Sequence, residues 1–72
     1  METEYAVVYE RTDTGYSAYV PDLPGCIAAG YTYEETRDLL RGAIAMHLKA
    51  MAEDGDLIPA PTTLVGTLAA AA

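Results

Sequence analysis

The side chains of this sequence that could do chemistry are one histidine, His47, one cysteine, Cys26, and eleven acidic residues. A Cys–His pair can act as nucleophile and general base, but only with groups that orient the imidazole and stabilise an oxyanion. No residue pattern beside either one supplies them. His47 falls on the apolar stripe of an expected helix, where a histidine is usually packed with one nitrogen hydrogen-bonded. Cys26, in a short apolar stretch, reads as a small buried hydrophobe unless an exposed, electropositive setting activates it. A hydrolytic centre with two divalent ions about 4 Å apart would need several carboxylates converging from strands. Here Glu4 and Glu10 bracket a strand whose middle is Ala6-Val7-Val8, Asp22 lies in a turn, and Glu34 and Glu35 open a helix. Solvated or capping roles account for all of them. There is no glycine-rich phosphate loop, zinc pattern or basic stripe, so the sequence implies no catalytic residue, cofactor or metal.

Composition narrows the class further. Four Lys+Arg against eleven Asp+Glu give a formal charge of −7 over 72 residues. Such a surface repels phosphate backbones, whose recognition depends on cationic contacts that release counterions, and this argues against direct nucleic-acid binding by the chain. The same field favours encounter with a basic partner. No apolar run approaches the roughly 20 residues that span a bilayer. Glu2-Thr3-Glu4 lacks the basic start and apolar core of a secretory signal, so a cytoplasmic location is expected. The unpaired Cys26 agrees with a reducing compartment.

The elements that position these residues follow from periodicity. Residues 4–10 alternate Tyr5, Val7 and Tyr9 against Ala6 and Val8, a strand pattern. The 11–15 stretch holds Asp13 and Gly15, which suit a hairpin turn. Residues 16–20 form the second strand, ended by Pro21, which has no N–H for a ladder. Asp22-Leu23-Pro24-Gly25 then turns tightly with Leu23 tucking inward, and 26–30 returns as a third strand. Thr32-Tyr33-Glu34-Glu35 is a capping box, with the Thr32 hydroxyl accepting from the Glu35 N–H and the Glu35 carboxylate reaching back to Thr32. Tyr31 precedes it as a possible hydrophobic staple.

On a helical wheel Thr36, Leu39, Leu40, Ala43, Ile44, His47, Ala50 and Met51 share one face, opposite Glu34, Asp38, Arg41 and Lys49. Glu34 and Glu35 at the start and Lys49 near the end suit the helix dipole, and Gly55 can leave the helix in the left-handed conformation. Pro59 and Pro61 force residues 57–61 to be extended. Residues 62–68 fit either a fourth strand or a short helical turn, and 69–72 have no pattern.

Six tyrosines with no Phe or Trp bring six hydroxyls that need partners or water. Tyr5, Tyr9, Tyr16 and Tyr19 fit cross-strand pairs or an interface equally well. Asp22 has a structural use too, because an aspartate opening such a turn can satisfy backbone donors. At this size a single core yields about 3–5 kcal/mol without further support, and a lone cysteine provides no intramolecular disulfide. Self-association is therefore expected.

One stretch is distinctive: Tyr16-Ser17-Ala18-Tyr19-Val20-Pro21-Asp22-Leu23-Pro24-Gly25-Cys26, followed by Ala28, Gly30, Thr32, Glu34 and Glu35. With His47-Leu48, Glu53-Asp54-Gly55 and Ile58-Pro59-Ala60-Pro61, it resembles the HicB antitoxin family over residues 4–62 or so. The resemblance implies an α+β domain: a three-stranded antiparallel meander with one packed helix, β-β-β-α-β, a HicB-like partial ribonuclease H fold. The whole chain is then one domain, with a core of about 4–62 and 63–72 as a tail or short fourth strand. It also implies a dimer or tetramer that neutralises a small basic HicA-type toxin, an enzyme that cleaves messenger RNA. Many family members carry a further C-terminal DNA-binding domain, for which 72 residues leave no room. On this reading Tyr16, Tyr19, Asp22 and Glu34 are the partner-binding candidates, while Pro24, Gly25, Thr32, Glu35, His47 and Gly55 serve structure.

Overall fold

A computed structural model describes residues 3–71. Strands β1 (Val8–Arg11), β2 (Tyr16–Tyr19) and β3 (Ile27–Gly30) are followed by helix α1 (Tyr33–Glu53). The strands form one antiparallel sheet in the order β1-β2-β3. Val8 pairs with Tyr19 and Tyr19 with Ile27, while Tyr9, Ala18 and Ala28 form the next row. Side chains alternate across a sheet, so the first row lines one face and the second the other. α1 packs on the face of Tyr9, Ala18 and Ala28.

The first strand is shorter than its apolar alternation predicts. Continuing the register places Val7 opposite Val20 and Ala6 opposite Pro21. Ala6 and Pro21 would be the next hydrogen-bonded pair, and Pro21 has no N–H to give, while the Val20 N–H faces the other neighbour and donates to the Cys26 carbonyl at 3.2 Å. The ladder ends there, leaving 4–7 extended without regular pairing. The 12–15 hairpin closes through Thr12 rather than Asp13, and without a positive φ at Gly15: Thr12 N–H donates to Gly15 O at 2.9 Å, and Gly15 N–H donates to Thr12 Oγ1 at 3.0 Å.

The Pro21–Gly25 connection inserts a side chain into the core. Leu23 N–H donates to Val20 O and Cys26 N–H to Leu23 O, each at 3.0 Å, and Gly25 takes a φ of +84° that favours glycine. Pro24 and Gly25 are exposed at the bend while Leu23 is fully buried. Leu23, Ala18, Val20, Cys26 and Leu40 constitute the core, with Tyr5, Val7, Tyr9, Ala28, Ala43, Ile44 and Leu48 packed around it.

α1 begins as its capping sequence dictates, with one change of partner. Thr32 Oγ1 accepts from Glu35 N–H at 3.0 Å, but Glu35 Oε1 accepts from Tyr31 N–H at 3.0 Å rather than from Thr32. Tyr31 itself is exposed and staples nothing. Thr36 is buried one turn in, its hydroxyl donating to Thr32 O at 2.8 Å. The buried seam runs along Thr36, Leu40, Ala43, Ile44 and Leu48, rotated from the expected face. Leu39 is 51% exposed and Ala50 is exposed, whereas Leu48 is inward. The Thr36 hydroxyl satisfies itself on the backbone, so it can open the seam while Leu39 faces outward.

At the other end Gly55, at φ +77°, lets Asp56 N–H donate to Met51 O at 2.9 Å, closing the helix in a Schellman arrangement. Lys49 falls short of the last turn, so it does not complement the dipole there.

The closing strand of the β-β-β-α-β expectation is not formed among the described residues: nothing from 56 to 71 joins the sheet. The chain there is extended, as Pro59 and Pro61 require. It is tied down at Tyr5, whose hydroxyl donates to Pro59 O at 2.6 Å, and at Asp22. Beyond Thr63 it projects. The molecule spans 48 × 26 × 21 Å with a radius of gyration of 13.9 Å, against about 11 Å for a compact domain of this length.

Candidate protein-binding surface

The potential catalytic groups are dispersed. Cys26 lies in the core with Leu23 and Leu40, where burial pushes its thiol above the ordinary range. His47 is half-buried on α1 and is not a member of that core cluster. Among the described residues no three His, Cys, Asp or Glu side chains gather in a way that could hold a metal ion.

The four partner-binding candidates occupy three different places. Tyr16 and Tyr19, three residues apart on one strand, point to opposite faces of the sheet. Tyr16 lies on the helix side, its ring 6.4 Å from that of Tyr33 at 82°, and Tyr9 meets Tyr33 from the other side at 4.6 Å and 44°. Burial foremost, then the neighbouring Tyr33 phenol, raises the Tyr9 phenol above its usual value. Glu34 is exposed on the first turn of α1, next to Tyr33. Tyr9, Tyr16 and Tyr33 therefore form one aromatic corner, with the edge-on and tilted packing that ring quadrupoles favour. Tyr33 is the member that sequence reasoning missed as a contact residue. The signal was its place one residue past the cap, on the side of the helix that meets the sheet.

Tyr19 belongs to the face that α1 leaves open. Val8, Tyr19 and Ile27 form one cross-strand row there, with Tyr19 40% and Ile27 68% exposed. Ile27 is the second residue not anticipated. Its exposure follows from strand parity, since Cys26 and Ala28 point inward.

Asp22 does something else. Its Oδ2 accepts from the N–H groups of Thr62 and Thr63 at 3.0 and 3.1 Å, and its Oδ1 from their hydroxyls at 3.1 and 2.8 Å. These bonds, the Thr63 hydroxyl foremost, hold the carboxyl below its ordinary range. The turn is thus the anchor of the C-terminal segment.

A groove of about 640 Å³ opens between the 3–9 stretch and α1. Tyr5, Val7 and Tyr9 line one wall, Leu40, Ile44 and Leu48 the other, with Arg37 and Arg41 at its rim. Arg41 also meets Asp38 at 3.6 Å, an exposed pair that contributes little. Among the described residues no helix is long and apolar enough to cross a membrane.

These features match known proteins. The chain is 38% identical over 55 residues to an uncharacterized 14.9 kDa protein in the rep-hol intergenic region of Haemophilus phage HP1, covering 76% of this chain and 41% of that one. It is 32% identical over 59 residues to Antitoxin HicB 2 of Photorhabdus laumondii, covering 82% of this chain and 42% of the relative. It therefore spans about two fifths of the length of these two relatives. A solved structure of a HicA3 and HicB3 toxin-antitoxin complex contains a chain that superposes with a TM-score of 0.70 at 30% identity, covering 82% of this chain and 69% of that one. The family model for the HicB-like antitoxin of bacterial toxin-antitoxin systems matches residues 5–71, from the groove-lining tyrosine to the end of the projecting segment. That match covers nearly the whole chain, and the chain belongs to the HicB-like antitoxin family.

Proposed function

We propose that this chain is an antitoxin that works by stoichiometric cover, binding a small basic HicA-type toxin and blocking its access to messenger RNA. The observation that carries the reading is the superposition on a chain of a toxin–antitoxin complex together with a charge of −7. An acidic surface speeds encounter with a basic protein and suppresses competing binding to nucleic acid. On this reading the chain turns over no substrate, does not itself bind nucleic acid, and works in the cytoplasm as a dimer or tetramer. Its sheet is a degenerate ribonuclease-H-like platform. Tyr16, in the corner with Tyr33, offers a ring face, and Glu34, exposed on the first turn of α1, a carboxylate to a toxin lysine or arginine. Tyr19 offers a second contact on the open face. Asp22 acts by fixing the segment that follows Pro61.

The test is reconstitution with a small basic protein encoded beside this chain, where the genome holds one. Equimolar complex formation, weakening as salt rises, and loss of the toxin's RNA cleavage at a one-to-one ratio are expected. A basic neighbour that neither binds nor is inhibited overturns the assignment, as does Mg²⁺-dependent RNA cleavage by the chain alone.

A further inference from the structure

Residues 57–71 carry no charged side chain, in a protein where about a fifth of residues are charged. They are also extended and largely solvent-exposed, with Leu64 at 95%, Val65 at 68% and Leu68 at 98%. Exposing three large aliphatic side chains within five residues forgoes several kcal/mol of burial at about 25 cal/mol per Å². The pattern is that of a strand. Leu64, Gly66 and Leu68 fall on one side of an extended chain, and Thr63, Val65 and Thr67, all β-branched, on the other.

The same molecule presents a surface of matching character. β1 is one of the two edges of the sheet. The stretch before it, 3–7, is extended with its backbone unpaired by any strand, the kind of edge that recruits a further strand. Beside it lies the groove between Tyr5, Val7 and Tyr9 and the helix residues Leu40, Ile44 and Leu48, and no residue from 57 to 71 lines it. Eight residues, 64–71, reach about 26 Å and the 3–9 wall runs about 23 Å, so the two are commensurate. The Asp22 clamp sends the arm outward from its own body, as the 48 Å long axis records.

The geometry points to arm exchange: residues 64–71 of one copy lie as an added strand along the 3–9 edge of a second copy, with Leu64 and Leu68 in its groove. The inference rests on the self-association proposed above and names its contact. Exchange in both directions is a closed two-fold arrangement. It puts two arms and two grooves into one interface.

The test compares the mass in solution, by light scattering at tens of micromolar, of the wild-type chain with two variants. Leu64→Glu/Leu68→Glu spoils the arm at positions outside the core. Ala45→Trp fills the groove from an exposed position on α1 that lines it. The wild type is expected at twice the chain mass or a multiple of it. Each variant is expected to shift by tenfold or more toward monomer with its helical circular dichroism unchanged. A wild type that is monomeric overturns both the self-association and the exchange. An oligomer that survives the arm substitutions overturns the exchange alone.

Discussion

The Thr63 hydroxyl donates to Asp22 Oδ1 at 2.8 Å, joining residues 41 apart in sequence. Because Thr62 repeats the contact and both backbone N–H groups go to Oδ2, one carboxylate satisfies four donors of a segment that has no ladder. This spares the extended chain after Pro61 an unpaired backbone at the point where it leaves the body. The turn that buries Leu23 and the anchor of the arm are thus the same few residues.

Replacing Asp22 by Asn keeps the shape and removes acceptor capacity, since an amide has one oxygen where the carboxylate has two. Amide exchange at Thr62 and Thr63 is expected to accelerate by tenfold or more, with the Tyr9–Ala18–Ala28 row unaffected. Acid should do the same to the wild type. A carboxyl whose folded value is depressed stabilises the anchored state above the ordinary carboxylate pKa of about 4. That contribution is lost as pH falls through the lowered value. Exchange at Thr62 and Thr63 that is flat from pH 6 to pH 2, after correction for intrinsic rates, would contradict the clamp.

Leu40 and Leu39 are adjacent in sequence and opposite in consequence. Leu40 is 1% exposed between the sheet and α1, so Leu40→Ala should cost about 2–5 kcal/mol. For a single core with only a few kcal/mol in hand, that is enough to unfold much of the population. Leu39→Ala should change stability by less than about 0.5 kcal/mol. Urea denaturation followed by circular dichroism separates them, and equal midpoints would show that the seam is misplaced.

Most of the architecture was legible because it depends on local chemistry. Pro21 and Gly25 bound a turn, Thr32 and Glu35 cap a helix, and Gly55 ends it, each through groups within a few residues. What was illegible depends on distant partners. Nothing local to Asp22 says that its four donors lie 40 and 41 residues away. On the helix Thr36, Leu40, Ala43 and Ile44 read inward and are, but hydrophobicity alone cannot tell that Leu39 faces out and Leu48 in. The buried threonine is cheap only because its hydroxyl returns to Thr32 O. The binding surface was least legible. Alternation already set Tyr16 against Tyr19, but nothing local to the strand says that Tyr33 meets Tyr16 from the helix.

The Thr32 cap can be tested in isolation from packing. Thr32 is exposed, so Thr32→Ala removes the acceptor for the Glu35 N–H without opening a cavity. A loss of about 1 kcal/mol is expected, largely restored in Thr32→Ser or Thr32→Asp. Thermal unfolding of the three variants is the measurement, and an alanine variant as stable as the wild type would remove the cap from the account.

Gly30 is held small by the helix start. A Cβ there would meet Thr36 Oγ1 at 2.8 Å and Glu35 Oε1 at 2.9 Å, the two oxygens that organise the first turn. Gly30→Ala therefore forces the capping carboxylate aside and should cost about 1–3 kcal/mol. Gly42, with nothing near its Cβ direction, gives the control: Gly42→Ala in an exposed helix interior should stabilise by about 0.5–1 kcal/mol. A chemical-denaturation series in which both substitutions move the midpoint the same way would refute the crowding at Gly30.

Cys26 reports on the core without perturbing it. It is buried and free, and burial alone raises its pKa, so the thiolate needed for reaction is scarce in the folded chain. Labelling by a disulfide reagent at pH 8 should follow transient opening and run at least a hundredfold slower than in urea. The same shift makes stability depend on pH in the opposite sense to Asp22. The contribution is complete below the ordinary thiol pKa of about 8.5, and it declines as pH rises toward the raised folded value, because the unfolded chain then holds fewer protons. In Cys26→Ala that alkaline decline should disappear, leaving only the smaller-volume penalty. Prompt labelling of the folded protein would instead mean that the Leu23–Cys26–Leu40 core is open to solvent.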